Sequence, residues 1–208
     1  MEKNLSLTRK LVLTGALSAL IIVLGITKLG LIPLGPAASI TILHIPIILA
    51  ACIVGLPSAL FTGAVFGIMS LVQAAMSPSG VLDPLFVNPL CSVLPRVLTG
   101  LIAWALWVVF NKIPKMPKSV SAGITAFIAT ACHTVLVIGC LYVFAAEKTL
   151  EGMGGLGYFA VMAMLAPQAA MEAVAATIIC AAVFVGMFLG GKRKSKLSAE
   201  ITEEKDAQ

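Results

Sequence analysis

One apolar segment of this chain carries a stripe of polar residues that includes an arginine. The stripe and the small residue that continues it are separated by four, four, three and four positions: Asn88, Ser92, Arg96, Thr99 and Ala103. These spacings place all of them on one face of a helix. The surrounding sequence suits hydrocarbon, where an ionisable side chain is costly and usually faces a partner or a ligand. The stripe therefore predicts a site that binds a solute.

Polar side chains on other apolar segments are candidates for the same site. The fifth predicted helix carries His133, the sixth carries Gln168 and Glu172 one turn apart, and His44 lies near the start of the second. A rise of about 1.5 Å per residue places Arg96, His133 and Gln168 in the outer half of the membrane and Glu172 nearer its middle. We therefore expect these side chains to surround one solute.

Each of these residues also has a structural interpretation, and the sequence leaves both interpretations open. Arg96 and Glu172 have opposite charges and would neutralise each other as an ion pair within the membrane. His133 would be a hydrogen-bonded residue of the helix bundle. His44, close to the outer surface, would cap a helix.

A proline next to the arginine predicts a further polar group inside this helix. Pro95 has no backbone N–H and therefore leaves the carbonyl of Cys91 without its helical donor. A freed carbonyl within a membrane needs a side chain, a water molecule or a ligand as its donor. We therefore expect a bend and an available acceptor beside Arg96.

Motifs for catalysis or metal binding are absent from the sequence. It contains neither H-E-x-x-H nor G-x-S-x-G nor a phosphate-binding glycine loop. The five cysteines lie within apolar segments without C-x-x-C spacing, which is typical of small buried residues. We therefore predict no enzymatic activity, no metal site and no cofactor.

The composition requires a membrane environment for these residues. Hydrophobic residues make up 60% of the 208-residue chain and charged residues 11%, and the mean hydropathy is +1.07. Soluble domains have about half apolar and a quarter charged residues. We predict an all-α, multi-pass protein with one six-helix domain over residues 1–190 and a disordered cytoplasmic tail over 191–208. The predicted helices are 7–27, 41–54, 59–75, 89–110, 120–145 and 158–189, of which the second, at about 21 Å, is short for a full span.

Basic residues indicate the orientation of this domain. Three clusters of them lie at the start of the first helix, between the fourth and the fifth, and after the last. Because cytoplasmic loops are enriched in Lys and Arg, both termini are predicted to be cytoplasmic. Aromatic residues do not interleave with the clusters, so the net charge of +5 does not indicate a nucleic-acid partner. The clusters are Lys3, Arg9 and Lys10; Lys112, Lys115 and Lys118; and Lys192, Arg193, Lys194 and Lys196.

A face of small residues on the first helix is a candidate contact surface. Gly15 and Ala19 are four residues apart, with Thr14 and Ser18 beside them. Small residues at this spacing allow another helix to approach closely. The pattern predicts docking of a partner subunit or, as the alternative, packing within the bundle itself.

Four short stretches resemble one family of membrane proteins. They are ITILHIPIIL at 40–49, GLPSA at 55–59, the segment 63–70, and FVNPLCSVLPR at 86–96. Together they are similar to the substrate-binding S components of energy-coupling factor (ECF) vitamin transporters, in the group with the riboflavin, pantothenate and folate proteins. The likeness in length and helix placement extends over roughly residues 7–189.

The resemblance implies a function, a location and partners. A bacterial S component in the cell membrane captures a vitamin beneath the outer loops that follow the first, third and fifth helices. It then works with a transmembrane coupling subunit and two cytosolic ATPase subunits, and Gly15 and Ala19 match the small-residue motif that docks on the coupling subunit.

Arg96 would bind an anionic group such as the carboxylate of pantothenate, the best guess for the substrate. The riboflavin proteins carry an acidic residue near the position of Pro46, where this chain has His44 and Ile45, which weakens a riboflavin assignment. Riboflavin and folate are the alternative substrates. The alternative function is a structural or regulatory membrane subunit in which Arg96 pairs with Glu172.

Overall fold

The computed structural model describes residues 5–33, 39–78 and 82–206, and it describes side chains within these ranges except for residues 31–40, 188 and 190–206. Seven α-helices, one short 3₁₀ helix and one two-stranded hairpin follow one another along the described chain. The elements are α1 Leu7–Ile26, β1 Leu31–Pro33, β2 Ser39–Thr41, α2 Ile45–Ile53, α3 Leu56–Met76, the 3₁₀ helix Asp83–Val87, α4 Pro89–Phe110, α5 Lys118–Phe144, α6 Ala146–Gly152 and α7 Tyr158–Asp206.

Five of these helices are long and apolar enough to cross a membrane, which confirms a helical multi-pass architecture. They are α1, α3, α4, α5 and the part of α7 from Tyr158 to Met187. By contrast, α2 has nine residues and a length of about 14 Å, too short for a span. Among the described residues the structure therefore supports five spans, where the sequence predicts six.

The second predicted helix begins later than expected because its first residues belong to the hairpin. Ser39 to Thr41 pair antiparallel with Leu31 to Pro33, so that Thr41 lies opposite Leu31. The sequence predicts a helix from residue 41, whereas α2 begins at Ile45 with His44 in the N-cap position, so the predicted start is wrong. A second difference is α6, a short helix inside the loop predicted after the fifth span.

The short helix α2 lies at the centre of the bundle. All of its residues except Ile53 are buried, and it packs against α1, α3, α4, α5 and α7. Its apolar side chains join Trp107 of α4 and Phe184 of α7, whose rings are 5.1 Å apart, in the largest core cluster. The helix therefore places its N-cap residue, His44, inside the protein.

Close backbone contact joins α3 to α4, the helix with the polar stripe. A Cβ added to Gly63 would lie 2.7 Å from the carbonyl oxygen of Arg96, and one added to Gly67 would lie 2.5 Å from the Cα of Val93. Real Cβ atoms do not approach other atoms so closely. Two glycines four residues apart therefore allow α3 to lie directly against the part of α4 that contains Arg96.

The start of α4 and the end of α7 can be compared directly with the sequence-based predictions. The predicted bounds of the fourth helix, 89–110, agree with α4: Asn88 caps it by accepting a hydrogen bond from the N–H of Leu90 at 3.0 Å, and Pro89 takes the first helical position. The backbone of α7 is helical as far as Asp206, through most of the segment where a disordered tail is predicted. Residues 207–208 lie outside the described residues, and the domain boundary near residue 190 stays a prediction.

Candidate solute-binding site

Arg96 is buried within the bundle, and none of its contacts among the described residues is with an acidic group. Its side chain is 5% exposed, and its Nη1 donates to the carbonyl of Cys91 at 2.8 Å while Nη2 donates to Oγ of Ser70 at 3.3 Å. The first bond uses the carbonyl that Pro95 frees, as predicted for a side-chain donor. Nε has no hydrogen-bond partner among the described residues. The guanidinium thus keeps donor capacity that the protein does not use.

Two aromatic rings flank this guanidinium. The Cζ atom of Arg96 lies 4.7 Å from the ring centroid of Phe86 and 5.4 Å from that of Phe66. Both distances are within the range of cation–π attraction, which partly offsets the cost of burying the charge. The rings also exclude water, so that an anion reaching the guanidinium would interact with it in a low-dielectric environment.

Two histidines extend the polar cluster towards α2 and α5. The rings of His44 and His133 stack with centroids 5.4 Å apart and an angle of 16° between their planes. His133 also lies 6.0 Å from the ring of Phe66, which joins the histidines to Arg96. Both histidines are buried, and within the described part of the chain no hydrogen bond reaches their ring nitrogens. Neither histidine therefore matches the structural role of a hydrogen-bonded bundle residue, and His44 makes no side-chain capping bond.

Glu172 belongs to a different set of contacts. Its carboxylate Oε1 accepts from the backbone N–H of Thr41 at 2.6 Å and from Nε2 of Gln168 at 3.2 Å. The contacts of Arg96 described above are with Cys91, Ser70 and the two phenyl rings. In this structure the two side chains are therefore bound to different groups, and the described residues show no ion pair between them.

The remaining residues of the predicted stripe mainly hold α4 in place. Ser92 is buried and donates to the carbonyl of Gly67 at 3.0 Å, and Thr99 donates to the carbonyl of Pro95 at 2.8 Å. Asn88 caps α4 at the edge of an open cavity of about 640 Å³. That cavity lies between the 3₁₀ helix and the α5–α6 junction, and residues 84–85, 87–88 and 143–148 line it.

The small residues of α1 face away from the bundle. Gly15 and Ala19 are exposed, and no atom lies within 4 Å of a Cβ added to Gly15. On the other side of the helix, Thr14 forms a hydrogen bond with Ser58 of α3 at 2.7 Å, and Ser18 is buried. Packing of Gly15 and Ala19 within the bundle is thus not observed, and this surface is open to lipid or to a partner.

Sequence reasoning missed three residues of the cluster around Arg96. Phe66 and Ser70 contact the guanidinium from α3, and Phe86 contacts it from the 3₁₀ helix. A signal for the first two was present, since Phe66 and Ser70 are four residues apart and share a helix face with Gly63. Phe86 carries no such signal because it precedes the helix whose arginine it covers.

The arrangement favours binding of a small anion with further polar groups. The unpartnered Nε lies beside Nη2 on one edge of the guanidinium, which is the geometry that receives both oxygens of a carboxylate. The imidazole nitrogens of His44 and His133 offer further donors or acceptors, and the ring of Phe66 lies in contact with both Arg96 and His133. The described residues contain no group of three or more His, Cys, Asp or Glu side chains that could hold a metal ion.

Comparison with known proteins identifies the family. A model of the family described as ECF transporter, substrate-specific component, matches residues 9–185. A pantothenate transporter of Leuconostoc mesenteroides is 35% identical over 109 residues, which are 50% of this chain and 52% of that protein. A pantothenic acid transporter of Lactococcus lactis is 28% identical over 156 residues, covering 69% of this chain and 74% of the relative. The chain thus matches about half the length of the first relative and three quarters of the second. It belongs to the ECF transporter substrate-specific component family, whose members are multi-pass transport proteins of the bacterial cell membrane and not enzymes.

Proposed function

We propose that this chain captures pantothenate from outside the cell and delivers it inward together with a transmembrane coupling subunit and two cytosolic ATPase subunits. One observation supports the substrate class. Arg96 is buried, and among the described residues it has no acidic partner and its Nε makes no hydrogen bond. A buried ion without a counter-charge is costly, and a ligand carboxylate would lower that cost by neutralising it. Pantothenate has one carboxylate, and both relatives described above are named for its transport.

The proposed binding mode places the carboxylate on Arg96 and the rest of the molecule along the histidines. Nε and Nη2 of Arg96 donate to the two carboxylate oxygens. His44 and His133 then form hydrogen bonds with the amide or hydroxyl groups of pantothenate, since their ring nitrogens have no protein partner among the described residues. Asn88, Ser92 and Gln168 shape the site from α4 and α7, and Ser92 does so through its bond to Gly67.

The proposal extends to the topology and to docking. The hairpin and α2 together replace the second full span, so the chain crosses the membrane in six passes with both termini in the cytoplasm. The basic clusters at Arg9 and Lys10 and at Lys112 to Lys118 support this orientation. Gly15 and Ala19, on the exposed face of α1, contact the coupling subunit.

The test measures binding of pantothenate and of pantothenol, its primary alcohol analogue, to purified protein by isothermal titration calorimetry. Two charge-assisted hydrogen bonds are worth about 3–6 kcal/mol, so Arg96→Ala is expected to weaken pantothenate binding at least about 100-fold. Arg96→Lys keeps the charge without the two-pronged geometry and should lose about tenfold. Arg9→Ala, which removes an exposed arginine, is the matched control and should bind normally.

The two ligands separate a contact with Arg96 from a general loss of structure. Wild-type protein should prefer pantothenate over pantothenol, and Arg96→Ala should bind both equally weakly, because it lacks the group that recognises the carboxylate. If Arg96→Ala still distinguishes the two ligands, the carboxylate is bound elsewhere and the proposed mode is wrong. If wild-type protein binds neither ligand, the substrate assignment is wrong.

A further inference from the structure

Among the described residues, Glu172 does not act as the counter-ion of Arg96 in place of a ligand. It lies on α7, is 4% exposed, and accepts hydrogen bonds from the N–H of Thr41 and from Gln168. Among the described residues, neither donor belongs to the cluster formed by Arg96, His44, His133 and the two phenylalanines. The buried carboxylate of Glu172 therefore binds a backbone N–H, that of Thr41, outside this cluster.

The segment that Glu172 holds leads directly to one of the histidines. Thr41 ends strand β2, and His44 follows it by three residues at the N-cap of α2. No hydrogen bond from the His44 side chain fixes its ring in the described structure. The orientation of that ring consequently depends on the backbone between Thr41 and His44.

That backbone is anchored on two sides. On the α1 side, the N–H of Ile42 donates to the carbonyl of Gly30 at 3.0 Å. Leu43 packs so tightly there that a Cβ added to Gly30 would lie 2.1 Å from its side chain. On the α7 side, the 2.6 Å bond between Thr41 and Glu172 fixes the same segment.

We infer that Glu172 is a positioning residue: by binding the N–H of Thr41 it holds His44 stacked on His133 and facing the solute, without touching the solute itself. This inference rests on the proposed function, because it assigns His44 a role in ligand binding. Glu172 would thus affect affinity by orienting a residue that contacts the ligand, and not by a contact of its own. The length of the side chain then matters more than its charge.

Two conservative variants separate reach from charge. Glu172→Gln keeps an oxygen at the same reach and removes the charge, whereas Glu172→Asp keeps the charge and draws the oxygen back by one methylene group. A positioning role predicts that the Gln variant binds pantothenate within about threefold of wild type and that the Asp variant binds about tenfold more weakly. Direct contact between Glu172 and a ligand predicts the opposite order, and observing that order would overturn the inference. Glu151→Gln, at an exposed position on α6, is the control.

A double-mutant cycle with His44→Ala tests whether the effect passes through this histidine. If Glu172 acts through His44, Glu172→Asp has no further effect on affinity in the His44→Ala background. Additive losses would overturn the inference, since they would show that Glu172 acts independently of His44.

Hydrogen–deuterium exchange provides a readout that does not depend on the ligand. The N–H of Thr41 should exchange faster in Glu172→Asp than in wild type, while amides of α3 and α4 keep their protection. Equal exchange at Thr41 in both proteins would contradict the role of this bond even if affinity changed. Normal exchange of the helices also shows that the variant is folded. Failure of the Arg96 test with a positive exchange result would affect only the proposed function and not the positioning of the Thr41 segment.

Discussion

The close contact between α3 and α4 leads to a quantitative prediction for Gly67→Ala. The added Cβ would lie 2.5 Å from the Cα of Val93 and 3.1 Å from the carbonyl oxygen of Ser92. Both are backbone atoms, so no rotation of a side chain relieves the overlap. Ordinary contact begins at 3.4 Å, and α3 and α4 must therefore separate by about 1 Å. The same movement lengthens the 3.0 Å bond from Ser92 to the carbonyl of Gly67 beyond hydrogen-bond distance.

The net effect follows from three contributions to the free energy of unfolding. Overpacking costs about 1–3 kcal/mol, and loss of a buried hydrogen bond costs about 1 kcal/mol. Alanine is the better helix former by about 1 kcal/mol, which acts in the opposite direction. We expect a destabilisation of about 1–3 kcal/mol, equivalent to a decrease in Tm of about 2–10 °C for a chain of this length. Because α4 carries Arg96, ligand affinity should fall as well.

Gly139→Ala is the matched control for this substitution. Gly139 is also a glycine within a helix, but no atom lies within 4 Å of a Cβ added to it. Alanine there should leave Tm unchanged or raise it slightly. Thermal unfolding of both variants in the same detergent, followed by the fraction that remains monodisperse after heating, measures the difference. A Gly67→Ala protein at least as stable as Gly139→Ala would refute the argument that backbone contact fixes this helix pair.

Two further predictions concern the cluster and the docking surface. Phe86→Leu removes the ring whose centroid lies 4.7 Å from Cζ of Arg96, and it should weaken pantothenate binding about 3–10-fold in calorimetry. Val87→Ala is the neighbouring control. Unchanged affinity in Phe86→Leu would mean that the ring does not stabilise the charge of Arg96. Gly15→Leu combined with Ala19→Leu should abolish vitamin uptake by cells while purified protein binds ligand normally, because bulky side chains block close approach of the coupling subunit. Gly186→Leu, at another exposed helical glycine, should leave uptake intact, and retained uptake in the α1 variant would exclude this face as the docking surface.

The sequence predicts the face of α4 correctly because helical spacing is a local property. Ser92, Arg96, Thr99 and Ala103 are all buried, as their spacing indicates. The donor for the carbonyl freed by Pro95 could also be anticipated as a class, since the sequence requires one. The sequence does not identify which group is the donor, and in the structure Arg96 of the same helix donates to this carbonyl.

Contacts between helices could not be predicted to the same depth. Counting residues gives the height of Glu172 along α7 but not the rotation of α7 about its axis, and that rotation directs the carboxylate to Thr41. The register of α3 against α4 depends on glycines whose role is visible only once the helices are packed. The sequence predicts no regular structure between the first two helices. Gly30 and Pro33 indicate a chain reversal there but do not specify that residues 31–33 pair with 39–41.

The separation of the two buried charges has an energetic consequence for ligand capture. If Arg96 and Glu172 were paired, an incoming carboxylate would have to displace another carboxylate and leave it buried without its partner, which is strongly unfavourable. In the structure the negative charge of Glu172 is instead met by two N–H donors, while Arg96 has two neutral acceptors and two aromatic faces. The ligand-free protein therefore retains a positive charge that is hydrogen-bonded but not neutralised. Neutralising that charge favours binding of an anionic solute, and no ion pair among the described residues has to be broken first.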